Sequence, residues 1–185
     1  MSLEYAILGL LDHMPFSGYD LKKVFDTSIR HFWPANQTQI YLTLNRLAGQ
    51  GLVEMEVVEQ TERPDRKVYH ITEAGRSSLR QWLVASKPAE MVRSARLIQV
   101  FFAAQLSDEE ILHIFEELAA QVREALRQYE SIPNNIEAYN RPAASSREFY
   151  FWMLTLEVGK TVAAANLAWI ESVISRIRNG ELPRA

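Results

Sequence analysis

Residues 51–72 read GLVEMEVVEQTERPDRKVYHIT. The first half alternates, with Val53, Met55 and Val57 on one side and Glu54 and Glu56 on the other. The last part alternates again and puts Lys67, Tyr69 and Ile71 together. A period of two is the signature of an extended strand. The two runs therefore form a hairpin with TERPDR at its tip. A tip that only reverses the chain is satisfied by Asn-Gly or Asp-Gly. This one gathers Arg63, Arg66 and Lys67 around a stiffening Pro64, with Glu62 and Asp65 between them.

On the N-terminal side of the hairpin the period changes to that of a helix. Leu3, Ala6, Ile7, Leu10 and Leu11 recur at helical spacing, and Pro15 ends that helix. Gly18 opens a second helix that lines up Leu21, Val24 and Phe25. A third runs through QTQIYLTLNRLAGQ, with Asn36 as its N-cap and Gly51 as the residue that accepts positive φ at its end. On the C-terminal side, Thr72 caps a fourth helix whose apolar side includes Leu79, Trp82 and Leu83. The order helix, helix, helix, strand, strand, helix within about 85 residues is that of a winged helix-turn-helix.

Beyond a short linker, KPAEM, the chain reads as helical throughout. Residues 92–105 form one helical pattern. Ser107 and Glu110 form a capping box that starts a second, where Ile111, Phe115, Leu118, Val122, Leu126 and Tyr129 step by three and four. IPNNIEAYNRPAAS reads as a connection. A last helix carries Phe149, Trp152, Leu156, Ala163, Leu167, Ile170, Ile174 and Ile177 on one face. The expected fold is thus mainly α. A winged helix-turn-helix domain with a two-stranded wing spans residues 1–86, and an all-α helical domain spans 87–185.

Bulk composition narrows the function by exclusion. Hydrophobic residues make up 48% of the chain, enough for packed cores rather than disorder. There is no cysteine, which removes disulfides, thiol catalysis and thiolate metal sites. His13, His31, His70 and His113 form neither HxH nor HExxH, so no metal is expected. No glycine-rich phosphate loop or nucleophile elbow occurs, and neither an enzyme nor a cofactor is expected. The start, MSLEYAILGLLDHM, lacks a basic leader and a cleavage site, and the apolar stretch near residue 160 is broken by Glu157, Lys160 and Asn166. A cytoplasmic protein without membrane contact is the expectation. The formal charge is −3, with nine Lys and Arg against ten Asp and Glu in residues 1–86. Affinity for nucleic acid must therefore come from local placement of charge rather than from a basic domain.

That placement is visible. With Ile40 at the centre of the third helix's inner face, Leu44 and Leu47 fall beside it, and Thr38, Leu42 and Asn45 point away. Gln37, Thr38, Gln39, Tyr41 and Asn45 can all hydrogen-bond to base edges or phosphates. The wing cations Arg63, Arg66 and Lys67 suit a sugar-phosphate backbone or a minor groove. Lys22 and Lys23 add charge where a second helix of this class crosses the phosphates. Each feature alone has a plain structural reading, since exposed helix faces are polar and hairpin tips are solvated. Together they favour double-stranded DNA.

The residues LGLLDHMPFSGYDLKKVFD (8–26), QIYLTLNRLAGQGLVEMEV (39–57) and RPDRKVYHITEAGRSSLRQWL (63–83) carry a resemblance to the PadR-type transcriptional regulators. The resemblance implies a homodimeric DNA-binding regulator, usually a repressor, that dimerises through its C-terminal helices. It implies DNA contacts from Tyr19, Lys22, Gln39, Tyr41, Arg63, Arg66 and Lys67. It also implies, as in some members, release from DNA by a phenolic or hydrophobic effector near the dimer interface. Phe115, Phe149, Trp152 and Trp169 are the candidates for such a site. Members commonly carry proline after the helix-three tyrosine, where this chain has Leu42, which leaves the groove-facing helix regular at that position. The operator expected is pseudo-palindromic, because paired subunits present two recognition helices roughly 34 Å apart. The competing expectation is a winged helix that binds protein rather than DNA, and the near-neutral charge of residues 1–86 is its support.

Overall fold

The computed structural model describes residues 2–30, 32–59, 65–87, 94–138 and 145–183. Arg63 and Pro64 at the wing tip, together with Glu62, His31 and Arg93, lie outside the described residues. The chain divides into two compact units, Met1–Pro88 and Ala89–Ala185.

The first unit runs α1 (Ser2–His13), β1 (Phe16–Ser17), α2 (Gly18–Thr27), α3 (Gln37–Gly49), β2 (Val53–Val58), β3 (Arg66–Ile71) and α4 (Glu73–Val84). Its core draws a few apolar side chains from every element: Ile7, Leu8 and Leu11 from α1, Leu21 and Phe25 from α2, Ile40, Leu44 and Leu47 from α3, and Val53, Tyr69, Ile71 and Leu79. The helix starts follow from their caps. Ser17, Asn36 and Thr72 each take an extended backbone and accept the N–H of the residue three positions on. Gly51, at φ 69°, ends the α3 region in the left-handed conformation and lets Leu52 bond back to Leu47.

The sheet differs from the expected two-stranded wing by one short strand. Its order is β1-β3-β2, with Phe16 opposite Tyr69 and Ser17 opposite Val68. The hairpin register pairs Val53 with Ile71 and Val58 with Arg66. Only the base of β2 is packed. Val53 is buried, while Met55 and Val57 on the same side are exposed, because the hairpin projects beyond the helices that cover its root. Leu83, expected on the apolar side of α4, is 65% exposed. Trp82 instead stacks on Tyr5 of α1 at 4.7 Å and receives Lys87 on its ring. Gly75 in α4 lies against the β2 root: a Cβ there would meet the Leu52 carbonyl oxygen at 2.2 Å. That contact is with backbone and cannot be relieved by a rotamer.

The second unit contains α5 (Ala95–Phe101), a 3-10 turn (Ala103–Gln105), α6 (Asp108–Ala138) and α7 (Ser146–Arg178). The expected helix over 92–105 is broken, because Leu106 must become extended to lead into the Ser107 cap. Ser107 and Glu110 make the reciprocal cap expected of them. Helix α6 runs on to Ala138, through residues expected to be a connection. A proline in a helix interior forfeits its own N–H bond and crowds the carbonyl four residues back, a cost that the amphipathic run before residue 133 offsets as the helix continues past it. Helices α6 and α7 pack through Phe115, Leu118, Ala119 and Val122 against Ile170, Ile174 and Ile177. Arg123–Glu171 and Arg178–Glu116 ion pairs, each at 2.6 Å, join the same two helices at the surface.

Candidate nucleic-acid interface

Helix α3 is turned as its sequence requires. Ile40 and Leu44 are fully buried, and Gln37, Thr38, Gln39 and Asn45 are exposed. Leu42 stands 65% exposed on the same outer face. The first turn is well fixed. Asn36 Oδ1 accepts the Gln39 N–H at 2.9 Å, and Gln39 Oε1 accepts the Asn36 N–H at 2.9 Å. Gln39 thus commits its carbonyl to the cap and keeps only its amide N–H groups for a ligand. No acidic side chain stands in the first turn of α3, so the helix N-terminus presents its partial positive charge without a carboxylate to repel phosphate.

Tyr41 is half-buried and sits where α3 meets α2. A Cβ on Gly18 would come within 2.5 Å of its ring, so the close approach of the two helices depends on that glycine. Tyr69 lies nearby in β3, and burial, with Tyr41 beside it, raises its hydroxyl pKa above 10.0. Strand β1 leads directly into α2 and pairs with β3. The start of α2, Tyr41 of α3 and the root of the wing are therefore brought to one place.

The cations at this place have partners. Lys22 pairs with Asp26 one turn along α2. Lys23 sits over the Tyr19 ring, 4.4 Å from its centroid. Arg66 pairs with Asp20 across 46 residues of sequence. Lys67 has no ion pair among the described residues, and Arg63 lies outside them. The near balance of charge in this half of the chain is thus realised as local pairs. Burial opposes ionisation of Asp20, but the Ser17 hydroxyl, Arg66 and Lys23 outweigh it and hold its carboxyl below the usual 3.8. The resulting stabilisation is present above the unfolded-state pKa and is lost as pH falls through the lower native value.

In the second unit, a cavity of about 800 Å³ lies between the α5 end, the start of α6 and the end of α7. That volume is ordinary for a small-molecule site. Phe115 and Trp169 both line it, with ring centroids 5.6 Å apart and planes at 62°. Phe149 and Trp152, also expected at an effector site, do not line it. Both lie near the other end of α7, which at 33 residues spans roughly 50 Å. Asp108 and Arg176 are the charged lining groups, and Leu182 and Pro183 close one side. The tail reaches there because Gly180, at φ 69°, turns the chain after α7 and lets Glu181 N–H bond to the Arg176 carbonyl at 3.0 Å. Periodicity does not reveal this wall. The Gly180 stop followed by Leu182 and Pro183 is its only sequence signal. No group of acidic and histidine side chains able to hold a metal ion occurs among the described residues, nor is any described helix long and apolar enough to cross a membrane.

Comparison with known proteins matches both units. The Transcriptional regulator PadR-like family model matches residues 7–81, and the Virulence activator alpha C-term model matches residues 92–178. The negative transcriptional regulator PadR of Bacillus subtilis is 27% identical over 176 residues, covering 95% of this chain and 97% of its own. The crystal structure of that protein with operator DNA aligns with a TM-score of 0.81 at 26% identity, over 96% of this chain and 99% of the other. Its structure with p-coumaric acid aligns with a TM-score of 0.76 at 27% identity, over 95% of each chain. The virulence activator AphA of Vibrio cholerae aligns with a TM-score of 0.72 at 29% identity, over 96% of this chain and 98% of that one. Residues 7–81 thus match the PadR-like family of transcriptional regulators and residues 92–178 the virulence activator C-terminal family, and over nearly its whole length the chain is similar in sequence and fold to PadR-type transcriptional regulators.

Proposed function

We propose that this chain is a cytoplasmic, non-catalytic regulator that binds a pseudo-palindromic DNA operator as a homodimer and represses transcription from it. Residues 1–86 act as the DNA-binding domain, and residues 87–185 carry dimerisation and effector binding. Helix α3 enters the major groove. Thr38 and Asn45 face base edges there, with Gln37, Gln39 and Tyr41 on the flanks. Arg63, Arg66 and Lys67 hold the backbone or minor groove beside it, and Tyr19, Lys22 and Lys23 meet phosphates from α2. The observation that carries the reading is the outward, acid-free first turn of α3 beside the wing root. The operator complex of the B. subtilis relative, aligned over nearly the whole chain, supports it.

Dimerisation is supported by apolar surface that the second unit leaves uncovered. Leu97, Ile98 and Phe101 of α5 and Phe102 at its C-cap are exposed, as are Tyr150, Phe151, Val158 and Val162 of α7. A soluble chain rarely leaves that much apolar surface in water. A closed pair of subunits also supplies the two-fold symmetry that a palindromic site requires. Footprinting on the DNA upstream of the chain's own gene tests this directly. The expected result is two protected half-sites one helical turn apart, with two chains per duplex by light scattering. Protection of a single half-site by one chain, or no protection with a stable protein-protein complex instead, contradicts it.

The cavity beside Phe115 and Trp169 is the proposed effector site, for an aromatic or hydrophobic small molecule whose binding weakens DNA affinity. The p-coumaric acid complex of the B. subtilis relative supports an effector of that class. Trp169 lines the cavity and is 39% exposed, so a ligand there changes its surroundings. Saturable quenching of tryptophan fluorescence by phenolic acids is expected, and Trp169→Phe removes most of it. Quenching that survives Trp169→Phe places the ligand elsewhere.

A further inference from the structure

Asp20 occupies a junction that the DNA contacts proposed above leave unassigned. It is the third residue of α2, and its Oδ2 accepts the Ser17 hydroxyl at 2.6 Å. Ser17 in turn accepts the Asp20 N–H at 3.2 Å. Ser17 is buried and paired across the sheet with Val68, so the carboxylate is anchored to both a helix start and a strand. The same Oδ2 receives Nη2 of Arg66, the first residue of β3 and the first described cation of the wing. The remaining N–H groups of Arg66 have no partner among the described residues, and its side chain is 47% exposed. Lys67, next in sequence, has no such anchor among the described residues.

We propose that Asp20 is a positioning residue for DNA recognition. It fixes the Arg66 guanidinium at one nitrogen so that the other edge meets a phosphate in a set register with α3. This inference rests on the DNA-binding reading above. An exposed ion pair contributes little to stability. Its effect here is on direction: a planar guanidinium held at one corner loses less freedom when it binds phosphate than a free chain does. A phosphate contact carries no sequence information itself, but it sets where the recognition helix sits on the duplex. Asp20 should therefore raise discrimination while lowering indiscriminate affinity, since its negative charge faces the same phosphates.

The test compares wild type, Asp20→Asn, Arg66→Ala and the double variant. Each is titrated against the duplex protected in the footprint and against an unrelated duplex of equal length, over a range of salt. Asparagine keeps the size of the side chain and an oxygen for the Ser17 hydroxyl. The expected result for Asp20→Asn is unrelated-duplex binding as tight as wild type or tighter. Its salt slope should be no shallower than that of wild type, because the Arg66 charge remains and an opposing carboxylate is removed. Preference for the protected duplex should fall about tenfold, the size of effect expected when one charged contact loses its geometry. Arg66→Ala should lower preference by a similar factor, and the double variant should fall no further than the worse single one. Asp20→Glu should restore part of the preference. Unchanged preference in Asp20→Asn, or a loss that adds fully to that of Arg66→Ala, overturns the inference. So does equal weakening on both duplexes with an unchanged slope and a lowered melting temperature, which marks Asp20 as only a fold element. Wild type without preference for any duplex removes the DNA-binding reading itself, and this inference with it.

Discussion

Ile40→Asp is expected to unfold the N-terminal unit. Ile40 is fully inaccessible and sits with Leu44 and Leu47 against α1 and the root of β2. Aspartate there has no cationic partner among the core residues and must either be desolvated or break the packing. The cost is more than about 4 kcal/mol, which is comparable with the whole stability of a small domain. Urea melting by circular dichroism should show the N-terminal transition gone in water at 25 °C. Thr38→Ala, two residues away and exposed, should change the unfolding free energy by less than about 0.5 kcal/mol. If Ile40→Asp melts like wild type, or Thr38→Ala unfolds the unit, then α3 is rotated from the orientation described.

The second large effect is on DNA rather than on folding. Replacing Arg63, Arg66 and Lys67 together by alanine is expected to weaken operator binding by at least about a hundredfold near physiological salt, since each charge-assisted contact contributes about 1.5–3 kcal/mol. The slope of log affinity against log salt should become shallower by up to about 2.7, which is 0.9 for each phosphate released. Loss on this scale does not require unfolding. Arg66 and Lys67 are exposed strand residues, and the hairpin register is set by backbone pairing from Val53–Ile71 to Val58–Arg66. A triple variant that binds as tightly as wild type at every salt concentration would remove the wing from the interface.

Local signals made the framework legible from sequence. The rotation of α3 follows from the spacing of Ile40, Leu44 and Leu47, and its start from Asn36, because both depend on residues within one or two turns. The hairpin was readable for the same reason. Features that depend on distant partners were hidden. Strand β1 has two residues and no periodicity, and exists only because β3 runs alongside it. The Asp20–Arg66 pair joins residues 46 apart, so neither side chain advertises the other. Residues 92–105 carry helical spacing throughout, yet the Ser107 cap downstream requires the chain to leave the helix early. The aromatic residues of α7 look alike in sequence, but only the geometry separates Trp169, which lines the cavity, from Phe149 and Trp152, which do not.

The central claim is that the outer face of α3 reads bases. The most direct measurement is the affinity of wild type, Thr38→Ala and Asn45→Ala for a set of operator duplexes, each with one base pair changed. The account predicts relaxed discrimination at one or two positions per half-site, by about 1–3 kcal/mol, with the salt slope and the fold unchanged. Uniform weakening across all duplexes, or discrimination identical to wild type at every position, would contradict it.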